Sequence, residues 1–167
     1  MMQELVEQIN RIARKATEGI HTAMPGEITE YDPAKGMATV QPKAKFKKPN
    51  GETMNFPAIS GVPVIFPQSE KVSIAWPIKP GDSCLLICCE SALDYWMYGQ
   101  ETDTVLKFDL SNAIAIPGLS SEGNEAMQTA CNENAIVISN GGTVMKISED
   151  GVTIEGNLKV KGSITNE

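Results

Sequence analysis

Residue types that could do chemistry are sparse in this 167-residue chain and do not form a recognisable catalytic set. A nucleophile triad needs a histidine beside a serine or cysteine, but the single histidine, His21, lies in a candidate linker, where a solvated role is favoured. Glu90 and Asp94 have helical spacing, which is typical of surface charges rather than of two carboxylates across a glycosidase cleft. Gly141-Gly142 lacks the following lysine of a phosphate-binding loop. The sequence predicts no enzyme and no cofactor.

The four cysteines do not predict a metal site. In an extended strand Cys84 and Cys88 would lie roughly 13 Å apart on one face, with Cys89 on the other face. Together with Cys131 they match no zinc-binding spacing. We expect them to be small buried apolar residues in a protein from a reducing compartment.

Composition and charge narrow the class of protein further. The formal net charge is −7 and aromatic residues make up 5%, so the chain should repel nucleic acid and suit many short strands better than a large helical core. The N-terminal stretch lacks the pattern of a signal peptide, and no apolar run is long enough to span a membrane. We therefore expect synthesis in a cytoplasm without export by the general secretory route.

The last quarter of the chain, 134–167, alternates short apolar pairs with turn residues such as Asn140-Gly141-Gly142 and Asp150-Gly151. This pattern predicts a ladder of very short strands with one apolar and one polar face. The apolar positions are Ile136, Ile138, Met145, Ile147, Val152, Ile154, Leu158, Val160 and Ile164.

One narrow apolar strip cannot close a core alone, because short strands need a covering layer before they are stable. Identical strips from three copies, meeting at an axis, would form a β-helical or β-prism needle, so we expect a homotrimer with these nine residues as its core. The alternative is a meander that packs against the preceding domain of the same chain.

The rest of the chain divides into three segments. Segment 1–24 contains an amphipathic helix over Gln3–Glu18, with Leu5, Ile9 and Ile12 on its apolar side. This side is expected either to pack on its own trimer or to dock to another protein. Segment 25–119 predicts short strands, including Val72–Trp76 and Leu106–Ile116, that form a small barrel of the oligonucleotide/oligosaccharide-binding (OB) type. In one of these strands strict alternation puts five residues on a single face: Ala38, Val40, Pro42, Ala44 and Phe46. Segment 120–133 consists mainly of small and polar residues, which predicts a linker.

Two surface clusters in the barrel segment each have two interpretations. Lys43, Lys45 and Lys47 share one side of a strand, where a solvated, edge-protecting face is favoured over docking to an acidic hub component. The aromatic group Tyr95, Trp96 and Tyr98 could stack on bases or sugars, but a plug at one end of the barrel is favoured.

A string of ordered motifs over about residues 24–119 resembles the central spike proteins of contractile-tailed phages, phage Mu among them, and of the related R-type bacteriocins. The motifs are Pro25-Gly26-Glu27-Ile28, Tyr31-Asp32-Pro33, Ala38-Thr39-Val40-Gln41-Pro42, Gly61-Val62-Pro63-Val64, Phe66-Pro67, Lys79-Pro80-Gly81-Asp82, Trp96, Phe108-Asp109-Leu110-Ser111 and Ala115-Ile116-Pro117-Gly118-Leu119. The resemblance implies a trimeric baseplate spike: a barrel collar on the tail hub and a needle that pierces the bacterial envelope on sheath contraction.

The sequence departs from some members of that class, whose tips bind iron through a His-x-His pair absent here. The needle is short and is either blunt or capped by a separate tip protein. Two rival functions remain open: a monomeric OB-type module that binds single-stranded nucleic acid or glycan, and a peptidoglycan-cleaving spike. The favoured prediction is a non-enzymatic trimer carried in a phage virion or bacteriocin particle.

Overall fold

The computed structural model describes residues 2–48, 50–100 and 103–165. It divides into two compact units, Met1–Ser120 and Ser121–Glu167. The prediction of a mainly β protein with a short N-terminal helix is confirmed, and the barrel segment takes the form of a curled half-barrel sheet.

The first unit begins with helix α1 and continues with seven strands and one short helix. Its elements are α1 (Met2–Glu18), β1 (Ala23–Asp32), β2 (Met37–Pro42), β3 (Lys45–Lys47), β4 (Thr53–Asn55), β5 (Ile59–Pro63), β6 (Ser83–Cys88), α2 (Asp94–Tyr98) and β7 (Ala113–Pro117). Five of the strands form an antiparallel sheet in the order β5-β2-β1-β6-β7, while β3 and β4 pair separately. The sheet curls so that its edges approach each other at a parallel bridge between Val64 and Ala115.

The core lies on the concave side of this sheet. The predicted alternation in β2 is confirmed, since Ala38, Val40 and Pro42 are buried. Ile28 and Leu86 from the neighbouring strands are also inaccessible to solvent. Because alternate side chains of a strand share a face, the apolar period of two directly determines this core.

The strand predicted over Leu106–Ile116 is not continuous in the structure. Phe108 has a positive φ of 53°, and Asp109 Oδ1 accepts the Ser111 backbone N–H at 2.8 Å. Because of this local turn, strand β7 begins only at Ala113.

The predicted strand Val72–Trp76 is also absent. In that segment the structure has an isolated bridge between Gln68 and Ser73. The Ile74 N–H donates to the Pro67 carbonyl at 2.9 Å, so this hydrogen bond is made within the loop itself.

The second unit contains α3 (Glu125–Glu133) and the antiparallel meander β8 (Ile136–Asn140), β9 (Thr143–Ser148) and β10 (Gly151–Glu155). The segment predicted to be a linker therefore holds a helix. Asn124 caps it, because its side chain accepts the Met127 backbone N–H at 2.9 Å. The polar composition of 120–133 concealed this helix, since few apolar residues mark its face.

Replacing Gly26 by alanine should destabilise the first unit. A Cβ at this position in β1 would lie 2.6 Å from Val40 Cγ1 and 3.2 Å from both Cys84 Sγ and Leu86 Cδ1, all inside the core. We expect a loss of about 1–3 kcal/mol in the free energy of unfolding, measured with urea. Gly19→Ala is the matched control, because a Cβ there meets nothing within 4 Å. Equal stability of the two variants would contradict the packing described for β1.

Candidate assembly surfaces

The residues first considered for chemistry have structural partners instead. The His21 ring packs edge-to-face on Phe56 with centroids 5.5 Å apart. Glu90 forms an exposed ion pair with Lys107 at 3.0 Å. Within residues 2–48, 50–100 and 103–165, no group of three or more His, Cys, Asp or Glu side chains is arranged to hold a metal ion.

Three of the cysteines follow the predicted alternation. Cys84 and Cys88 are buried on the core face of β6, and Cys89 is half-buried. Burial disfavours the thiolate and raises the pKa of Cys84 to about 11. Cys131 differs from the prediction, because it is exposed on α3.

The predicted lysine cluster is not uniform. Lys43 forms an ion pair with Glu27 at 2.7 Å, so its positive charge is balanced by a neighbouring carboxylate. Lys45 and Lys47 flank Phe46 on the short β3–β4 hairpin, where all three residues are exposed. The Phe46 ring packs on Phe56 with centroids 5.1 Å apart, so the hairpin is anchored by its aromatic side.

The aromatic group is not a plug, and that prediction is wrong. Tyr95, Trp96 and Tyr98 all point into solvent from α2, and Trp96 is 73% exposed. Leu93, just before α2, and Met97 are half-buried instead. Exposed tyrosine and tryptophan side chains are enriched at protein interfaces, so α2 presents a candidate contact surface.

Asn112, which the sequence analysis missed, fixes the segment that carries this surface. Its side chain is 3% exposed overall and makes three hydrogen bonds to backbone. Oδ1 accepts from the Leu93 N–H at 3.0 Å, and Nδ2 donates to the carbonyls of Ser91 at 2.8 Å and Leu106 at 3.1 Å. A single asparagine in a Ser-Asn-Ala run offers no signal for this role, because all three partners come from other segments.

One face of the β8–β9–β10 sheet is an uncovered apolar surface of the second unit. The register pairs Ile136 with Ile147 and Ile147 with Val152, and pairs Ile138 with Met145 and Met145 with Ile154. Residues in register share a face, so six of the nine predicted core positions form two parallel rows. We call them the six-residue apolar face: Ile136, Ile138, Met145, Ile147, Val152 and Ile154.

This face is not covered by the part of the second unit that the structure describes. Ile136 is 64% and Val152 is 61% exposed, and Met145 and Ile154 are half-buried. A soluble protein rarely leaves a contiguous apolar patch in water unless the patch meets a partner. The remaining three predicted core residues, Leu158, Val160 and Ile164, are exposed and lie outside the described strands.

The opposite face of the same sheet is mixed: it carries the half-buried Val137 and Val144 together with Lys146 and Glu155. Lys146 Nζ lies 2.9 Å from Glu133 and 3.0 Å from Glu155. The hydrogen bond to Glu133, followed by the one to Glu155, raises the pKa of Lys146 above its usual value. The charged side chains of this face are thus paired within the second unit, whereas the apolar face is uncovered in that unit.

The fold is mainly β, and its exposed aromatic and apolar side chains form candidate contact surfaces. Residues 24–118, more than half of the chain, match the family model described as the phage protein Gp138 N-terminal domain, and the chain belongs to that family. A search of curated proteins found no match. Family membership supports a phage structural protein with a tail-related role and a place in the virion. None of the described helices has the length and hydropathy of a membrane span.

Proposed function

We propose that this protein is the central spike of a contractile phage tail or of an R-type bacteriocin. It is a non-enzymatic homotrimer, made in the bacterial cytoplasm, that is attached to the tail hub and pierces the target envelope when the sheath contracts. The six-residue apolar face carries the proposal, because the second unit by itself leaves it exposed. Membership in a phage protein family supports the same setting.

Three copies of the second unit, arranged around one axis, can bury this face between them. Each copy turns its two apolar rows inward and keeps Lys146 with its two carboxylates outside. Leu158, Val160 and Ile164 continue the same dry core toward the C-terminus, where strands from neighbouring chains supply the hydrogen-bond partners. The result is a β-helical needle built from the second units, and the half-barrel units form an OB-like collar.

The mechanism is mechanical. A needle with a close-packed apolar centre and interchain hydrogen bonds resists bending, because no chain can unfold one of its strands without exposing the shared core. Sheath contraction then acts through a small cross-section on the bacterial envelope. Catalysis is not required at any step of this process.

Attachment to the hub uses the collar side of the molecule in this proposal. In it the exposed Lys45 and Lys47 of the β3–β4 hairpin contact an acidic hub surface, whereas Lys43 is paired with Glu27. A separate tip protein could sit on the C-terminal end of the needle. Neither contact involves nucleic acid, in keeping with the net charge of −7.

The oligomeric state provides the direct test. Light scattering on the purified full chain should give three times the chain mass of 18.0 kDa at micromolar concentration. Negative-stain micrographs of assembled particles should then place a label on this protein at the centre of the baseplate. A monomer across the whole concentration range would overturn the proposal, and would favour the monomeric OB-type binding module, which otherwise leaves the apolar face unexplained.

A further inference from the structure

Two Asn-Gly pairs occur in this chain, Asn50-Gly51 and Asn140-Gly141. Asparagine is among the thermally labile residues, and it is most labile before glycine, because no side chain shields the next backbone nitrogen. Both pairs lie in hairpin connections, the first between β3 and β4 and the second between β8 and β9. Local sequence alone assigns the two pairs similar reactivity, whereas the structure distinguishes them.

Hydrogen bonds restrain both reacting groups of the first pair. Asn50 Oδ1 accepts the Glu52 backbone N–H at 3.0 Å. The Gly51 N–H donates to the Lys48 carbonyl at 2.9 Å. These hydrogen bonds must open before the Gly51 nitrogen can reach the Asn50 amide, so the fold slows the reaction at this turn.

The second pair has neither restraint. Asn140 and Gly141 are both exposed. In the part of the chain that the structure describes, no group is hydrogen-bonded to the Asn140 side chain or to the Gly141 N–H. A Cβ added to Gly141 would meet nothing within 4 Å, so the space beside the attacking nitrogen is open.

We propose that Asn140 is a site of spontaneous deamidation in the folded protein. The Gly141 backbone nitrogen forms a bond to Asn140 Cγ, and the side-chain nitrogen leaves as ammonia, taking the proton of the Gly141 N–H. Water then opens the cyclic imide at one of its two carbonyls, which gives aspartate or isoaspartate. All the reacting atoms belong to one chain and to water.

The modification alters the surface on which the proposed spike depends. Asn140 lies two residues beyond Ile138 on β8, so its side chain is on the side of the sheet that carries the six-residue apolar face. Aspartate adds a negative charge there, and isoaspartate also lengthens the main chain beside the Asn140–Thr143 pair. In the proposed spike, on which this consequence rests, three such carboxylates would lie on the side turned toward the axis. A modified chain should therefore join a trimer less readily.

Peptide mapping of the aged full chain tests the site. The folded protein is incubated in mildly alkaline buffer, and mass spectrometry follows the conversion of asparagine to aspartate or isoaspartate at positions 50 and 140. We expect about fivefold faster conversion at Asn140, the factor that corresponds to one net hydrogen bond. The same chain in guanidinium chloride is the control, because both turns are then unfolded and the two rates should converge. Equal rates in the folded protein, or a faster rate at Asn50, would overturn the inference.

Two variants test the effect on assembly separately. Asn140→Asp reproduces the aspartate product, and Asn140→Ser is the small, uncharged control. In light scattering on diluted samples, Asn140→Asp should dissociate at a higher protein concentration than the parent, whereas Asn140→Ser should behave as the parent does. Equal dissociation of the two variants would overturn the effect on assembly. A monomeric parent would overturn the proposed spike but not the deamidation, because the chemistry at Asn140 needs only one chain.

Discussion

Replacing Ile154 by aspartate should convert the proposed trimer to monomers. Ile154 lies on β10 in the row with Met145 and Ile138, on the six-residue apolar face. In the trimer the change would place three carboxylates near the axis without partners, and the penalty for each buried charge is several kcal/mol. Light scattering should therefore give the mass of one chain at concentrations where the parent is three times heavier.

The neighbouring residue provides the control for this variant. Thr153→Asp adds the same charge one residue away, but Thr153 pairs with Lys146 in the register and so lies on the opposite, mixed face. This variant should remain a trimer with unchanged thermal stability. A soluble, heat-resistant trimer from Ile154→Asp would contradict the trimeric core, whereas dissociation of both variants would show only that the unit tolerates no added charge.

Replacing Asn112 by leucine should cost about 2–4 kcal/mol of unfolding free energy in the first unit. Leucine keeps a similar volume, but it leaves the Leu93 N–H and the carbonyls of Ser91 and Leu106 without their side-chain partner. Unpaired groups in a partly buried site each lose about 1–3 kcal/mol unless water reaches them. Urea unfolding followed by tryptophan fluorescence should report the loss.

The same variant should loosen the segment that carries the aromatic surface. We expect faster tryptic cleavage after Lys107, because the Leu106 carbonyl is no longer held by Asn112. Ser111→Ala is the control, since Ser111 is exposed and its side chain contacts only the adjacent Asp109 turn. If Asn112→Leu and Ser111→Ala give the same stability and the same cleavage rate, Asn112 does not organise this region.

The aromatic surface on α2 illustrates how sequence reasoning failed at one site. A cluster of two tyrosines and a tryptophan in a β barrel predicted a buried plug, since such side chains carry much apolar area. Whether they are buried depends on which side of the short helix faces the rest of the unit, and Leu93 and Met97 are the half-buried apolar residues there. The position of the preceding segment is held by Asn112, which local composition does not encode.

The strand pattern illustrates the opposite case. Alternation in β2 predicted its buried side, and alternation in 136–154 predicted which residues share the apolar face. Both predictions hold because a period of two assigns each side chain to one face of the sheet, whichever strand pairs with it. The same reasoning failed over 106–116 and at Val72–Trp76. In both segments, hydrogen bonds made within a turn or loop replace a ladder.

By itself the sequence determined the mainly β character, the amphipathic first helix and the membership of the six-residue apolar face. These features depend on the local period of apolar residues and on turn residues such as Asn140-Gly141-Gly142. Only the tertiary structure decided that Asn112 anchors the aromatic segment and that the second unit by itself leaves the apolar face uncovered. Those features depend on which groups meet in three dimensions, and hydrogen bonds or burial between such groups have no periodic signature in the chain.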